Sequence, residues 1–363
     1  MKKLLVVLFL IIISILGCST YENIETPIST ICPITAETAE PTEIPLPDNS
    51  TFTVHYIDVG QADAALVLCD GKTLLIDGGN VADSSLIVAY LKKLNIDYLD
   101  YIVCTHAHED HVGGLSGALS VAGAGVVYAP ETTAETDAYN NFVRKAAERN
   151  LQITHPEIGN SINLGNSTIQ FLGPITENTS EKNNTSIVLK ITYGDTSFLF
   201  TGDAEQEEEQ DIINAGYDLS ADVLKVGHHG SDSSTSYVFL REVMPQYAVI
   251  SVGAGNSYGH PTEEVLSRLR DADVELYRTD LQGDIIAESN GSVISITTER
   301  NEDIRTNETQ IEVTEGEYIG NKNSKKFHKP TCNTLPIEKN RVYFNSRSEA
   351  VENRFTPCGN CLP

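Results

Sequence analysis

Residues 51–300 of this sequence predict an α/β sandwich, two β-sheets packed face to face with helices outside, and residues 317–363 a small separate unit. Three observations carry that prediction. At 363 residues the chain exceeds what one hydrophobic core usually holds. One order of elements (hairpin, Asp, helix, short apolar strand, His) occurs twice between residues 52 and 229, and strands alternating with helices in two copies build two layered sheets. The last 47 residues carry eight Lys and Arg against four Asp and Glu, or +4, which leaves −30 on the rest of a chain of net charge −26.

The elements follow in order. Lys2 and Lys3 precede an unbroken apolar run from Leu4 to Ile13, too short for a comfortable membrane span, and small residues end it at Cys18, so residues 1–18 read as a secretory signal. Residues 19–50, rich in Thr, Pro and Glu, read as a disordered stalk. In the first copy, strands over 52–57, 64–69 and 73–76 end in Asp77-Gly78-Gly79, a helix covers 84–94, and a strand over 101–104 runs into His106. In the second, strands over 186–193 and 196–200 end in Thr201-Gly202-Asp203, a helix covers 205–215, and a strand over 223–226 runs into His228. Asp100 precedes His106 by six residues, as Asp222 precedes His228. With Asp and His at strand ends in both copies, the seam between the sheets is expected to be polar. Helices over 133–150 and 262–271 and strands near 274–277, 284–287 and 292–297 complete the domain, and 301–316 reads as a linker.

Composition narrows the function. Hydrophobic residues at 40% and charged residues at 21% exclude wholesale disorder and a polytopic membrane protein. An acidic body repels nucleic acid on average, and only the tail departs from that rule. Cys69 and Cys104 fall in predicted strands as small buried residues, and Cys32 lies in the stalk.

The chemistry gathers in Thr105-His106-Ala107-His108-Glu109-Asp110-His111, three His and one Asp within six residues, directly after a strand. Imidazole and carboxylate suit zinc, manganese or iron, and four such ligands are too many for one open catalytic ion, so they suit two ions in one pocket. His55 and His155 carry no motif and are expected to be structural or surface residues.

The H-x-H-x-D-H pattern resembles the metallo-β-lactamase superfamily, whose αββα fold is the sandwich inferred above. More narrowly, residues 51–297 resemble the hydrolase domain of the ComEC competence proteins. The matching pieces are Asp58-Val59-Gly60-Gln61-Ala62-Asp63, His106 to His111, Asn183-Asn184 with Ser186, Thr201-Gly202-Asp203, His228-His229-Gly230-Ser231 and Tyr258-Gly259-His260-Pro261. Ala62 stands where the family usually has Gly. The membrane-channel segments of ComEC are not in this sequence, so hydrolysis without transport is expected.

The resemblance implies roles. His106 and His108 hold metal one, Asp110 and His111 hold metal two, and Asp203 bridges them. One of His228 and His229 completes metal two, and the repeat register favours His228. The other, His229, then touches substrate or the leaving oxygen, with Asp110 and with His260 near the phosphate. No His lies between His155 and His228 to serve as a third ligand of metal one, so Asn184 or water is expected there. Asp77 is expected to steady the His loop, and Asp58 is a further candidate ligand or support. Two ions lower the pKa of water to about 7, so hydroxide forms near neutral pH and attacks phosphorus or a carbonyl carbon.

In the tail, His328-x₃-Cys332 and Cys358-x₂-Cys361 have the spacing of a zinc knuckle, with a disulfide as the competing use of the cysteines. The unit resembles the zinc-binding domain of the Ada DNA-repair protein, with His328 in place of the first of four cysteines. Leu-Gly-Cys18 resembles a bacterial lipobox, which implies lipidation of Cys18 and a place on the outer face of the cell membrane. The expected function is a membrane-anchored extracellular phosphodiesterase or nuclease with two zinc or manganese ions, a structural zinc in the tail, and DNA held by Lys322, Lys325, Lys326, Lys329, Arg341, Arg347 and Arg354. The alternatives are hydrolysis of a phosphorylcholine-type ester or a lactone, and a non-catalytic DNA-binding surface protein.

Overall fold

A computed structural model describes residues 51–131, 136–176, 180–307, 318–361 and 363. The expected signal peptide, Cys18, and the stalk with Cys32 lie outside the described residues, as do residues 308–317 of the linker and tail boundary.

The first half contains β1 (Phe52–Tyr56), β2 (Ala65–Cys69), β3 (Lys72–Ile76), α1 (Ser84–Lys93), β4 (Tyr98–Val103), α2 (Glu109–Val112), α3 (Leu115–Val121), β5 (Gly123–Tyr128), α4 (Asp137–Glu148) and β6 (Ile153–Thr154). The second contains β7 (Ser161–Leu164), β8 (Ser167–Gly173), β9 (Val188–Tyr193), β10 (Thr196–Phe200), α5 (Gln206–Ala215), β11 (Val223–Lys225), α6 (Tyr237–Val243), β12 (Tyr247–Ile250), α7 (Glu263–Asp271), β13 (Glu275–Arg278) and α8 (Thr279–Gln282). Then β14 (Ile285–Ser289) and β15 (Ile294–Thr298) return to the first sheet. The sheets run β15-β14-β1-β2-β3-β4-β5-β6 and β13-β12-β11-β10-β9-β8-β7.

Local chemistry sets these elements. Asp70 (φ 51) and Gly71 (φ 78) turn the β2–β3 hairpin, as a two-residue loop with both φ positive does. The Thr262 side chain caps α7 by accepting from Val265 N, with Glu263 and Glu264 in the first turn and Arg268 and Arg270 in the last.

The duplication is real in three dimensions. Each copy sets the second hairpin strand parallel to the strand after the helix, β3 with β4 and β10 with β11. Asp100 accepts from Thr73 N at 3.0 Å, and Asp222 from Ser197 N at 2.7 Å, so each ties its strand's start to the neighbouring strand. The polar seam expected from these aspartates is not what forms. They sit at the strand ends remote from the histidines, and the seam is an apolar core of Phe52, Tyr56, Phe171, Phe198 and Phe200 among others. The histidines and the buried carboxylates Asp63, Asp77 and Asp203 collect at the opposite strand ends. Outside the sheets, α1, α3 and α4 cover the first and α5, α6 and α7 the second.

The tail forms a four-stranded sheet in the order β18-β16-β17-β19, from β16 (Tyr318–Asn321), β17 (Lys326–His328), β18 (Arg341–Phe344) and β19 (Thr356–Pro357), with α9 (Arg347–Glu352) before the last strand. It lies along α7. Lys339 pairs with Glu264, Ile337 N donates to Ser267 Oγ at 3.4 Å, Asn321 Nδ2 donates to Asp271, and Lys326 pairs with Asp273. Among the described residues no helix is long and apolar enough to cross a membrane.

Candidate metal centre

The site is built where β3, β4, β10 and β11 end on the same side of the sandwich. Asp77 follows β3 with φ 56, and its carboxylate accepts from Thr105 N (2.8 Å), Thr105 Oγ1 (2.7 Å) and His111 Nδ1 (2.8 Å). These bonds tie the end of β3 to the loop that carries His106 and His111. His228 and His229 follow β11 with φ of 49 and 52, two consecutive left-handed side-chain-bearing residues, each held at a cost of about 1–3 kcal/mol. Gly230 comes next with φ 84, and a Cβ there would stand 2.6 Å from Pro261 Cβ, so only glycine lets the loop close on the His260-Pro261 turn.

Asp203 is the centre of the arrangement. Its Oδ2 lies 3.2 Å from His111 Nε2, 3.7 Å from Nε2 of both His228 and His229, and 3.9 Å from His106 Nε2. Asp110, His111, Asp203 and His229 each offer a ligand atom within 4.8 Å of the others. His106 Nε2 and His108 Nδ1 face each other at 3.0 Å. His111 Nε2, His229 Nε2 and Asp203 Oδ1 are buried with no hydrogen-bond partner among the described residues. Buried polar atoms are otherwise almost always paired, and these three converge on one point, so the residues fit divalent ions. Asp110, His111, Asp203 and His229 would hold one ion, and His106, His108 and Asp203 the other.

Electrostatics agrees with that donor set. Burial works to discharge His229, but Asp203, Asp63 and Asp110 hold its pKa up at about 10. Burial likewise works to lower the pKa of His111, and Asp203 and Asp77 hold it well above the imidazole range. Burial would raise the pKa of Asp110, yet His229 and His111 bring it to about 2. Burial, with His111 beside it, keeps His106 well below the imidazole range, in the neutral form that binds metal. Four carboxylates thus crowd two imidazoles, a negative excess that dications offset.

Several expected roles change hands. His228, favoured by the repeat, lies outside the cluster of converging donor atoms formed by Asp110, His111, Asp203 and His229. Its Nδ1 lies 3.2 Å from Ser233 Oγ and 3.3 Å from Glu205 Oε1, and its ring lines the mouth of the cleft. His229, buried and with Nε2 3.3 Å from Asp110 Oδ2, stands in that cluster instead. Asn184 turns its Oδ1 to Glu205 N, from which it accepts at 2.9 Å, and does not line the cleft. Its neighbour Asn183 lines the cleft instead, with a buried Oδ1 that has no partner among the described residues. Asp58 is no part of the site, since it pairs with Arg300 at 3.0 Å. His260 lines the cleft with Gln61, Glu109 and Tyr258, around a cavity of about 360 Å³. His55 bonds Tyr90 Oη at 3.0 Å, and the exposed His155 bonds Ala129 O at 2.9 Å.

Two residues to which the sequence assigns no role stand behind the site. Asp63 Oδ1 lies 3.1 Å from His229 Nδ1, and Lys225 Nζ donates to Asp63 Oδ2 at 2.7 Å. A lysine inside the apolar run Val223–Val226 is rare in a buried strand, and that was the available signal.

In the tail, His328, Cys332, Cys358 and Cys361 offer ligand atoms within 4.8 Å of one another, with His328 Nδ1 3.4 Å from Cys332 Sγ. The three cysteines are free, as are the buried Cys69 and Cys104. One nitrogen and three sulfurs in that volume make a metal site of the four-cysteine type, with a histidine in one of the four places.

Residues 57–254 match the Metallo-beta-lactamase superfamily, and residues 310–363 the metal-binding domain of Ada. The chain is 31% identical over 255 residues to ComE operon protein 3 of Bacillus subtilis, covering 65% of this chain and 33% of that protein. It is 34% identical over 240 residues to competence protein ComA of Neisseria gonorrhoeae, covering 66% and 32%. It thus spans about a third of the length of these relatives. Among solved structures, the metallo-beta-lactamase fold protein YhfI of Bacillus subtilis aligns with a TM-score of 0.46 and 14% identity over 66% of this chain and 100% of that one. With its histidines and aspartates gathered at the strand ends of an αββα sandwich, the chain belongs to the metallo-β-lactamase superfamily, the fold of metal-dependent hydrolases, and it ends in a metal-binding domain of the Ada type.

Proposed function

We propose that this protein is a metal-dependent phosphodiesterase that cleaves DNA outside the cytosol during DNA uptake. The observation that carries the reading is Asp203 Oδ2 standing among four histidines, with Asp110 and His108 completing two adjoining ligand sets. Two divalent ions there supply activated water and neutralise charge developing on phosphoryl oxygens. The chain's own residues do the rest. Asp77 fixes the ring plane of His111 through its Nδ1, and Ser251 O, bonded to His229 Nδ1 at 3.1 Å, fixes that of His229, with Asp63 Oδ1 also 3.1 Å from the same nitrogen. His228, oriented by Glu205 and Ser233, and His260 line the mouth, where a phosphoryl or leaving oxygen would sit.

DNA as substrate is favoured by the relatives named for competence and by the tail. Lys326 and Lys339 are engaged with the hydrolase domain, but Lys322, Lys325, Lys329, Arg347 and Arg354 are exposed. A basic surface beside an acidic body suits a polyanion. The basic, apolar and Cys18-terminated first residues favour export and lipid anchoring. The test is the purified full chain with zinc or manganese, offered single-stranded DNA, bis-p-nitrophenyl phosphate and a lactone. Both phosphodiesters should be cleaved, chelator should stop the reaction, and the lactone should persist. Turnover of the lactone alone would overturn the reading.

A further inference from the structure

Helix α7 is bonded both to the loop that carries His228 and His229 and to the tail. Toward the loop, Thr262 N donates to Gly230 O at 2.9 Å. Arg268 Nη1 donates to Ser234 O at 2.7 Å and Thr235 O at 3.3 Å, and its Nη2 to Asp232 O at 3.0 Å. His228, His229 and Thr235 hold φ of 49, 52 and 53, so the loop is strained at three residues and stays in place only because its surroundings hold it. A planar guanidinium with five donors is well suited to gather several carbonyls at once.

Toward the tail, Glu264, Ser267 and Asp271 stand at i, i+3 and i+7, one stripe of α7, and receive Lys339, Ile337 N and Asn321. Arg268 flanks that stripe one turn from Glu264. A Glu four residues before an Arg on a helix forms a favourable ion pair. Here Glu264 is engaged by Lys339 of the tail, and the Arg268 guanidinium is directed to the loop carbonyls instead.

We propose that the tail is an intramolecular brace for the hydrolytic metal centre. By taking Glu264 through Lys339, Asp271 through Asn321 and Asp273 through Lys326, it leaves Arg268 committed to the carbonyls of residues 232, 234 and 235. Arg268 is then the positioning residue that keeps His228 and His229 aimed at Asp203. This rests on the metal-dependent hydrolase reading and not on DNA as the substrate.

The test compares R268A, K339A and the double variant E264Q/K339A in the full chain, well below their melting temperatures. Two quantities are read: affinity of the hydrolase site for zinc by competition with a chromophoric chelator, and kcat on bis-p-nitrophenyl phosphate. R268A should lose about tenfold in both, the scale of disturbing a ligand's support. K339A should lose several-fold, since Glu264 then competes for Arg268. E264Q/K339A should recover, although it breaks the same tail contact. A double variant as impaired as K339A, or an R268A change confined to melting temperature, would overturn the proposal. If wild type does not turn over the phosphodiester, the substrate reading fails and zinc affinity alone decides this one. Lys339 is largely exposed, so if R268A does not fold, the K339A and E264Q/K339A pair still decides.

Discussion

Lys225 Nζ lies 2.7 Å from Asp63 Oδ2 at the back of the metal centre, with both side chains less than a tenth exposed. The other Asp63 oxygen stands 3.1 Å from His229 Nδ1, which bonds Ser251 O, so a buried cation sits two contacts behind a candidate metal ligand. Removing one partner of a buried pair strands the other charge and costs about 3–5 kcal/mol. Lys225→Met should therefore lower unfolding free energy by about 3 kcal/mol in urea denaturation. The double variant D63N/K225M should lose less than K225M alone. Equal losses in the two variants would show that the pair does not act as a unit.

His229 and His228 should separate cleanly by metal content. His229→Ala removes one of four converging ligands and should cost the hydrolase site an ion, as read by elemental analysis of the purified chain. His228→Ala should keep all ions and still lose about 100-fold or more in kcat, the scale of a group acting on the reacting atoms. Metal loss in H228A with full occupancy in H229A would restore the assignment that the repeat favours.

The hairpin–helix–strand–His order was legible because each strand is short, apolar and bounded by turn residues, and because His106 to His111 crowd into one loop. What was not legible depends on contacts distant in sequence or on backbone conformation. Asp63 and Lys225 are 162 residues apart, and no local pattern joins them. The choice between His228 and His229 follows from left-handed backbone at both residues, which residue type does not announce. Asp100 and Asp222 match in sequence position, yet they tie strand starts and do not enter the site. β5 opens on Gly-Ala-Gly, residues of low strand propensity that do not mark a strand.

Stability should fall as pH rises from about 4.5 to about 7. Glu209 is 2% exposed, and burial pushes its pKa up to about 7 against backbone bonds from Ser236 and Thr235 that lower it. Glu208, also buried, is raised to about 7. Between pH 4.5 and 7 the unfolded chain releases protons that the folded chain keeps, so the stabilisation present at low pH is lost as pH passes 7. Glu209→Gln should flatten that slope, on the order of 3 kcal/mol across the window, whatever it does to stability at pH 5. Urea midpoints at pH 5 and pH 8 measure it, and an unchanged slope in E209Q would reject Glu209 as the source.

A two-metal centre requires Asp203 to join two ions, and metal content measured together with turnover in Asp203→Asn tests that most directly. A neutral amide does not bridge two dications well, while the fold has its own apolar core and should persist. Wild type should carry two ions in the hydrolase site and one in the tail. D203N should keep the tail ion, lose at least one of the other two, and fall about 1000-fold or more in phosphodiester turnover. Full metal content with near-wild-type turnover in D203N would contradict the two-metal centre.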